Sequence, residues 1–217
     1  PEGILEVNAN ATYGPIGGIS VSVGKGVTLG ASVKYLYRES VIHNFTPQEL
    51  VNNYNNLDKF ITEDLKKKGS ALGFDAGAIW KFAPDSWWRP AIGVSVLNIG
   101  DLDFKDAGKI PMTYNAGISV NPRITAFRSL LIGVDYVDIT NNFTQDDDTT
   151  KRFRYGAELQ LFDTTALELA VRAGMYQGYP TFGADLRILT FLFSGTVYSE
   201  EVGAYSGQDK NTRYLLT

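Results

Sequence analysis

Between Ser70 and Phe82 the residues sort by parity. Even positions give Leu72, Phe74, Ala76, Ala78, Trp80 and Phe82; odd positions give Ala71, Gly73, Asp75, Gly77, Ile79 and Lys81. Successive strand side chains point to opposite faces, so one face is apolar while the other is small, glycine-rich and sparsely charged. A soluble sheet would hide the apolar face and offer water a surface of Thr, Lys and Glu. Small residues with an occasional charge suit a crowded polar interior instead, and aromatics at one end suit a membrane interface. The pattern recurs in Leu5–Tyr13, Ile19–Val23, Val27–Arg38, Trp88–Val96, Met112–Val120, Leu130–Tyr136, Phe153–Leu161, Leu167–Met175, Phe182–Ile188 and Phe191–Val197. Gly14-Pro15, Gly24-Lys25-Gly26, Pro84-Asp85-Ser86, Asn121-Pro122 and Asp163-Thr164-Thr165 read as reversals between these strands. With the segment after Lys210, the expectation is an all-β, antiparallel transmembrane β-barrel with about twelve visible strands.

The period changes once. Thr46-Pro47-Gln48-Glu49 has the form of a capping box with proline at the first helical position. Leu50, Tyr54, Leu57, Ile61 and Leu65 follow at helical spacing, with Lys66-Lys67-Lys68 at the end and Gly69 as a stop. This predicts an amphipathic helix over about 46–68 inside a long loop. With that loop placed outside the cell, connections near Gly24, Pro84, Asn121, Asp163 and Leu189 fall inside and are short. Those after Ser40, Gly100, Thr140 and Glu200 fall outside and include the longest, while Gly14 and Gly178 are outside yet short. Both chain ends then come out periplasmic.

Composition narrows the class. A mean hydropathy of -0.12 and the lack of a long apolar run leave no spanning helix, and barrels escape such scans because only alternate residues meet lipid. With no cysteine there are no disulfides, thiolate metal sites or cysteine nucleophiles. A net charge of -4 argues against a nucleic-acid partner. The 217 residues are expected to form a single barrel domain. The sequence starts at Pro1 without a signal peptide, so these residues are expected to belong to a longer polypeptide.

The inward charges are Lys34, Arg38, Asp75, Asp135, Glu158, Glu168, Arg172, Asp185 and Arg187. They fit a polar conduit or an ion-pair network in which opposite neighbours satisfy one another; the near balance of sign favours the network. The helix reads as a lid on the barrel rim, a gate, a plug or a docking surface, with the lid favoured. Trp80, Phe82, Trp87 and Trp88 read as an interfacial aromatic girdle rather than a ligand site. His43 is the only histidine, placed just before the helix, and no Gly-x-Ser-x-Gly elbow accompanies it, so no enzyme is expected. Asp146-Asp147-Asp148 lacks calcium-loop spacing and reads as a solvated loop. No metal or cofactor is expected.

Several blocks carry a resemblance. Leu72–Ala78, Arg89–Gly100, Tyr155–Leu159, Leu169–Tyr176 and Phe182–Leu186 resemble the bacterial outer-membrane superfamily that includes FadL-type long-chain fatty-acid transporters and PorV-type shuttle barrels of the type IX secretion system. The likeness covers Val27 to Glu201, and its motifs are mostly glycine, an acid and alternation. It implies an outer-membrane barrel of a Gram-negative bacterium, fourteen-stranded in full, with an N-terminal segment missing here. The implied work is transport or presentation of hydrophobic or protein cargo at the cell surface. A sealed barrel scaffolding a surface or secretion complex is the alternative. Membrane lipid is the expected partner, with lipopolysaccharide and a protein at the extracellular loops as further candidates. No ligand residue carries over.

Overall fold

A computed structural model describes residues 5–46, 48, 65–143, 147–203 and 205–216. The alternating segments are strands: β1 (Leu5–Tyr13), β2 (Ile16–Gly24), β3 (Val27–Phe45), β4 (Lys67–Lys81), β5 (Pro90–Leu97), β6 (Leu102–Asp103) and β7 (Lys109–Ile110) come first. β8 (Thr113–Val120), β9 (Ser129–Tyr136), β10 (Phe153–Asp163), β11 (Leu167–Tyr176), β12 (Tyr179–Ile188), β13 (Phe191–Glu201) and β14 (Lys210–Leu216) follow. Twelve of them form one sheet in the order β1-β3-β4-β5-β8-β9-β10-β11-β12-β13-β14, with β2 also on β3, while β6 and β7 pair separately. The registered pairs are antiparallel, as expected for a chain of hairpins.

The described residues group into two compact units. The first takes those up to Ile19, Ala31–Asp75 and Leu97–Met112; the second takes Ser20–Gly30, Ala76–Val96 and the described residues from Thr113 onward. In the first, β1 lies along the far half of β3, from Leu5 opposite Phe45 to Tyr13 opposite Tyr37. The hairpin of β6 and β7 holds this unit's core, in which Leu102, Phe104, Ala107 and Ala71 are buried against Leu36 and Ile110. In the second, β8 to β14 form an uninterrupted meander.

Two expectations are corrected here. Gly14-Pro15 is not a reversal: β1 and β2 both pair with β3, and the backbone N–H of Tyr35 donates to Pro15 O at 3.0 Å. The chain continues through an irregular step at which a Cβ on Gly14 would stand 2.1 Å from Tyr35 O. β1 and β2 therefore make one pass along β3. Further, Lys67 and Lys68 belong to β4 rather than to a helix end. Gly69 lies inside that strand, and its role is space rather than a left-handed stop. Lys66 and Lys68 instead pair with Glu39 at 2.5 and 3.6 Å. The rest of the expected helix, with Leu50, Tyr54, Leu57 and Ile61, lies outside the described residues; Leu65 is half-buried just before β4. The Gly24-Lys25-Gly26 reversal stands, with φ of 91°, 49° and 79° at its three residues.

The parity of burial inverts that of a soluble sheet. Along β4 the apolar Leu72, Phe74 and Trp80 are 56%, 49% and 51% exposed, while Ala71 and Gly73 are buried and Asp75 is half-buried. The rule extends through Val94, Ile118, Val134, Phe182 and Phe193, all exposed. Among the described residues the buried hydrophobics are only Ala71, Leu102, Phe104, Ala107 and Ala170. Burial of large apolar side chains is the main favourable term for a water-soluble domain, and here it is nearly absent.

Candidate functional site

The small-residue face carries the candidate chemistry, because period-two alternation puts every inward charge on it. In the first unit, Lys34 Nζ of β3 meets Asp75 Oδ1 of β4 at 2.6 Å. Ser32 Oγ donates to the other carboxylate oxygen at 2.7 Å, and Asn98 N donates to Oδ1 at 2.8 Å. Asp75 thus spends its acceptors on a cation, a hydroxyl and a loop amide, which fixes the start of the 98–112 segment as well as the strand pair. Arg38 sits over the Phe104 ring at 5.7 Å from its centroid, and its Nε is buried with no hydrogen-bond partner among the described residues.

In the second unit, Arg172 of β11 bridges two neighbours. Its Nε reaches Glu158 Oε2 of β10 at 2.7 Å, and its guanidinium also pairs with Asp185 of β12, which accepts from Ser194 Oγ of β13. Register dictates this: Glu158 stands opposite Arg172, and the next ladder brings Asp185 one step along. Arg187 pairs with Glu168 directly across the β11–β12 ladder. Asp135 joins no ion pair among the described residues; its Oδ1 lies 1.9 Å from where a Cβ on Gly117 would stand. Seven of the nine predicted charges therefore form three separate clusters, Lys34–Asp75, Glu158–Arg172–Asp185 and Glu168–Arg187, while Arg38 and Asp135 join none of them.

The segment between β5 and β8, expected only as an outside loop after Gly100, contains a short hairpin. Its hairpin folds over the same face: Phe104 and Leu102 lie against Gly69 and Gly73, the odd positions of β4. A Cβ on Gly69 would stand 1.8 Å from Phe104 O, and one on Gly73 2.4 Å from Leu102 Cδ2. Asp101 ties the hairpin together, accepting from Lys109 Nζ at 2.7 Å and from Met112 N at 2.5 Å. The Lys109 ammonium and then the Met112 amide hold its carboxyl below the usual range.

At the other end of β4, Trp80 packs on Phe82 with the rings tilted by 44°, and Trp87 meets Trp88 edge-on, with all three tryptophans about half exposed. The girdle residues thus occur as two aromatic pairs. A half-open pocket of about 220 Å³ is lined by Lys81, Phe82, Arg89, Asn121 and Leu131. Arg89 crosses it, its Nε donating to Asn121 O at 2.8 Å, and Arg123 donates to Pro84 O at 3.1 Å, so the 82–89 and 121–128 turns are bonded together.

The 202–209 loop is clamped. Glu201, the last residue of β13, accepts from Gly203 N and Gln208 N at 2.6 Å, from Asp209 N at 2.8 Å and from Tyr179 Oη at 3.0 Å. Burial alone would raise its carboxyl, but these donors outweigh it and bring it down to about 2. Burial and the facing carboxylate push the Tyr179 hydroxyl up to about 12. From the 147–152 loop, Asp148 accepts Ser206 N at 2.7 Å and Lys151 donates to Gly203 O at 2.7 Å. Asp148 also caps the short 3-10 turn Thr149–Arg152, a structural role for the acidic run; Asp146 lies outside the described residues. Among the described residues no cluster of three or more His, Asp or Glu could hold a metal. His43 is a strand residue of β3 opposite Val7. Sequence reasoning missed Ser32, Ser194, Asn98 and Glu201; the two serines share inward parity with the acids they serve, the one signal that could have found them. No family model and no curated protein matches this chain.

Proposed function

We propose that the chain is a transmembrane β-barrel of the Gram-negative outer membrane, working through a lumen lined by its small and charged face and through its long loops. One observation carries this reading: from β4 onward large apolar side chains on one face of the sheet are exposed, while on the other face glycines, serines and charged pairs such as Lys34–Asp75 are buried or half-buried, Arg172 staying exposed. In water so much exposed apolar surface would drive aggregation; in a bilayer it meets acyl chains. The aromatic pairs at Trp80–Phe82 and Trp87–Trp88 would lie at the turn-side interface. Tyr179, Glu201 and the 202–209 loop would stand beyond the opposite interface. The blocks resembling FadL-type and PorV-type barrels support transport or presentation of hydrophobic or protein cargo. A sealed scaffold is the second reading, favoured by the charge pairing and by the hairpin that covers part of the inner face.

Expression behind a secretion signal tests the membrane reading. The expected result is recovery in the outer-membrane fraction, resistance to carbonate and urea extraction, and a band that shifts on boiling before electrophoresis. A monodisperse, detergent-free soluble protein would overturn it.

A further inference from the structure

The segment between β5 and β8 stands apart in the molecule. Its Leu102 and Phe104 are the largest fully buried side chains among the described residues, at 1% and 0% exposure. They are buried against the small-residue face, where a lumen-lining surface should be wet. β4 is shaped to receive them. Gly69 and Gly73 both lack the positive φ that would call for glycine on conformational grounds, so what they supply is space. At Gly69 the obstacle to any side chain is the hairpin's own backbone, which cannot swing aside as a side-chain tip would. Ala71 between them is buried under the same hairpin. Together the three form a notch, with Lys34 and Arg38 of β3 at its borders.

The stem is pinned separately. Asn98 N donates to Asp75, Ile99 N to Phe74 O and Asn98 Nδ2 to Pro111 O, at 2.8, 2.8 and 3.2 Å. The strand ends therefore stay anchored whatever the tip does. The tip itself has two two-residue strands and a three-residue 3-10 turn, and its left-handed positions include the non-glycines Asp101 and Lys105 at φ of 65° and 56°. Such a piece gains little from its own hydrogen bonding; what keeps it folded inward is the Leu102 side chain at Gly73, the Phe104 backbone over Gly69 and the burial of both side chains beside Ala71.

We propose that the Leu102–Ile110 hairpin is a seal, a strap folded into the lumen and held by the Gly69–Ala71–Gly73 notch, whose displacement opens the path along the polar face. The proposal rests on the barrel reading above. Its ligand is the chain itself, so it stands whichever cargo uses the path.

Planar-bilayer recording on the full chain tests it, with the boiling-dependent gel shift run on every variant. Three variants attack the seal from different sides: Leu102→Ser with Phe104→Ser removes the apolar grip without touching the sheet, Gly69→Val fills the notch, and Asp101→Ala loosens the tie to Lys109 and Met112. The parent protein is expected to insert silently, and the double-serine and Gly69→Val variants to show discrete openings while keeping the gel shift. Asp101→Ala is expected to flicker between the two. A parent already as conductive as the variants, or variants that shift on the gel yet stay silent, would overturn the seal. Loss of the gel shift in the parent would instead overturn the barrel reading beneath it.

Discussion

At the residue scale, the account predicts unequal costs for equal chemistry on the two faces of one strand. Val134 is exposed on the apolar face of β9 and its neighbour Asp135 lies on the small-residue face. Placing arginine at a lipid-facing midplane position of such a barrel costs about 2 to 4 kcal/mol. Val134→Arg should therefore destabilise by that amount in denaturant titrations from lipid vesicles, whereas Asp135→Asn should change little. Lys34 and Asp75 make a different case. With side chains 11% and 18% exposed, they are paired closely enough that losing one orphans the other. Lys34→Met is expected to cost about 2 kcal/mol, the low side for an orphaned buried charge because the pair is not wholly enclosed. Adding Asp75→Asn should restore part of that loss; strict additivity in the double-mutant cycle would mean that the pair does not interact.

Among the elements, the 202–209 loop offers a pH test. Glu201 binds its loop as a carboxylate, and its folded value of about 2 lies below the ordinary value of about 4.3. A depressed acid contributes stability that is complete above the ordinary value and is lost as pH falls through the folded one. The loop should thus resist pepsin near pH 4 and become cleavable as pH approaches 2, while Glu201→Gln should expose it to other proteases at neutral pH. Cleavage of the parent that does not change over this window would contradict the clamp. Elements also divide what was legible in the sequence from what was not. Period-two alternation over eight or more residues is a nearest-neighbour signal, so β4, β8, β10, β11 and β12 could be read directly. Gly14-Pro15 misled because a strand irregularity and a tight turn use the same residues, and only pairing partners distinguish them. β6 and β7 have two residues each, too few for any period. Their trace was Gly69, which read as a helix stop, and Gly73, which read as lumen lining; both are contact points for the hairpin. The charges on the inner face were found as a set, but their division into Lys34–Asp75, Glu158–Arg172–Asp185 and Glu168–Arg187 depends on register, which alternation alone does not fix.

For the whole molecule, the exposed apolar face of the sheet is the ground for the proposed membrane environment. Few large side chains are buried among the described residues, and on the membrane reading proposed above stability comes from the ladder hydrogen bonds, the inner-face ion pairs and a surrounding apolar medium. The chain should therefore unfold or aggregate when detergent is diluted below its micelle-forming concentration, and refold when lipid is restored; circular dichroism with the gel shift follows both steps. The most direct test walks a nitroxide spin label along Ser70 to Phe82 in liposomes, reading collisions with lipid-soluble oxygen and with a water-soluble nickel chelate. The account predicts a period of two: oxygen accessibility peaking at Leu72, Phe74, Ala76 and Trp80, and nickel accessibility, where the hairpin leaves room, at the odd positions between. A walk with no alternation, or with nickel reaching Phe74 while oxygen reaches Asp75, would contradict it.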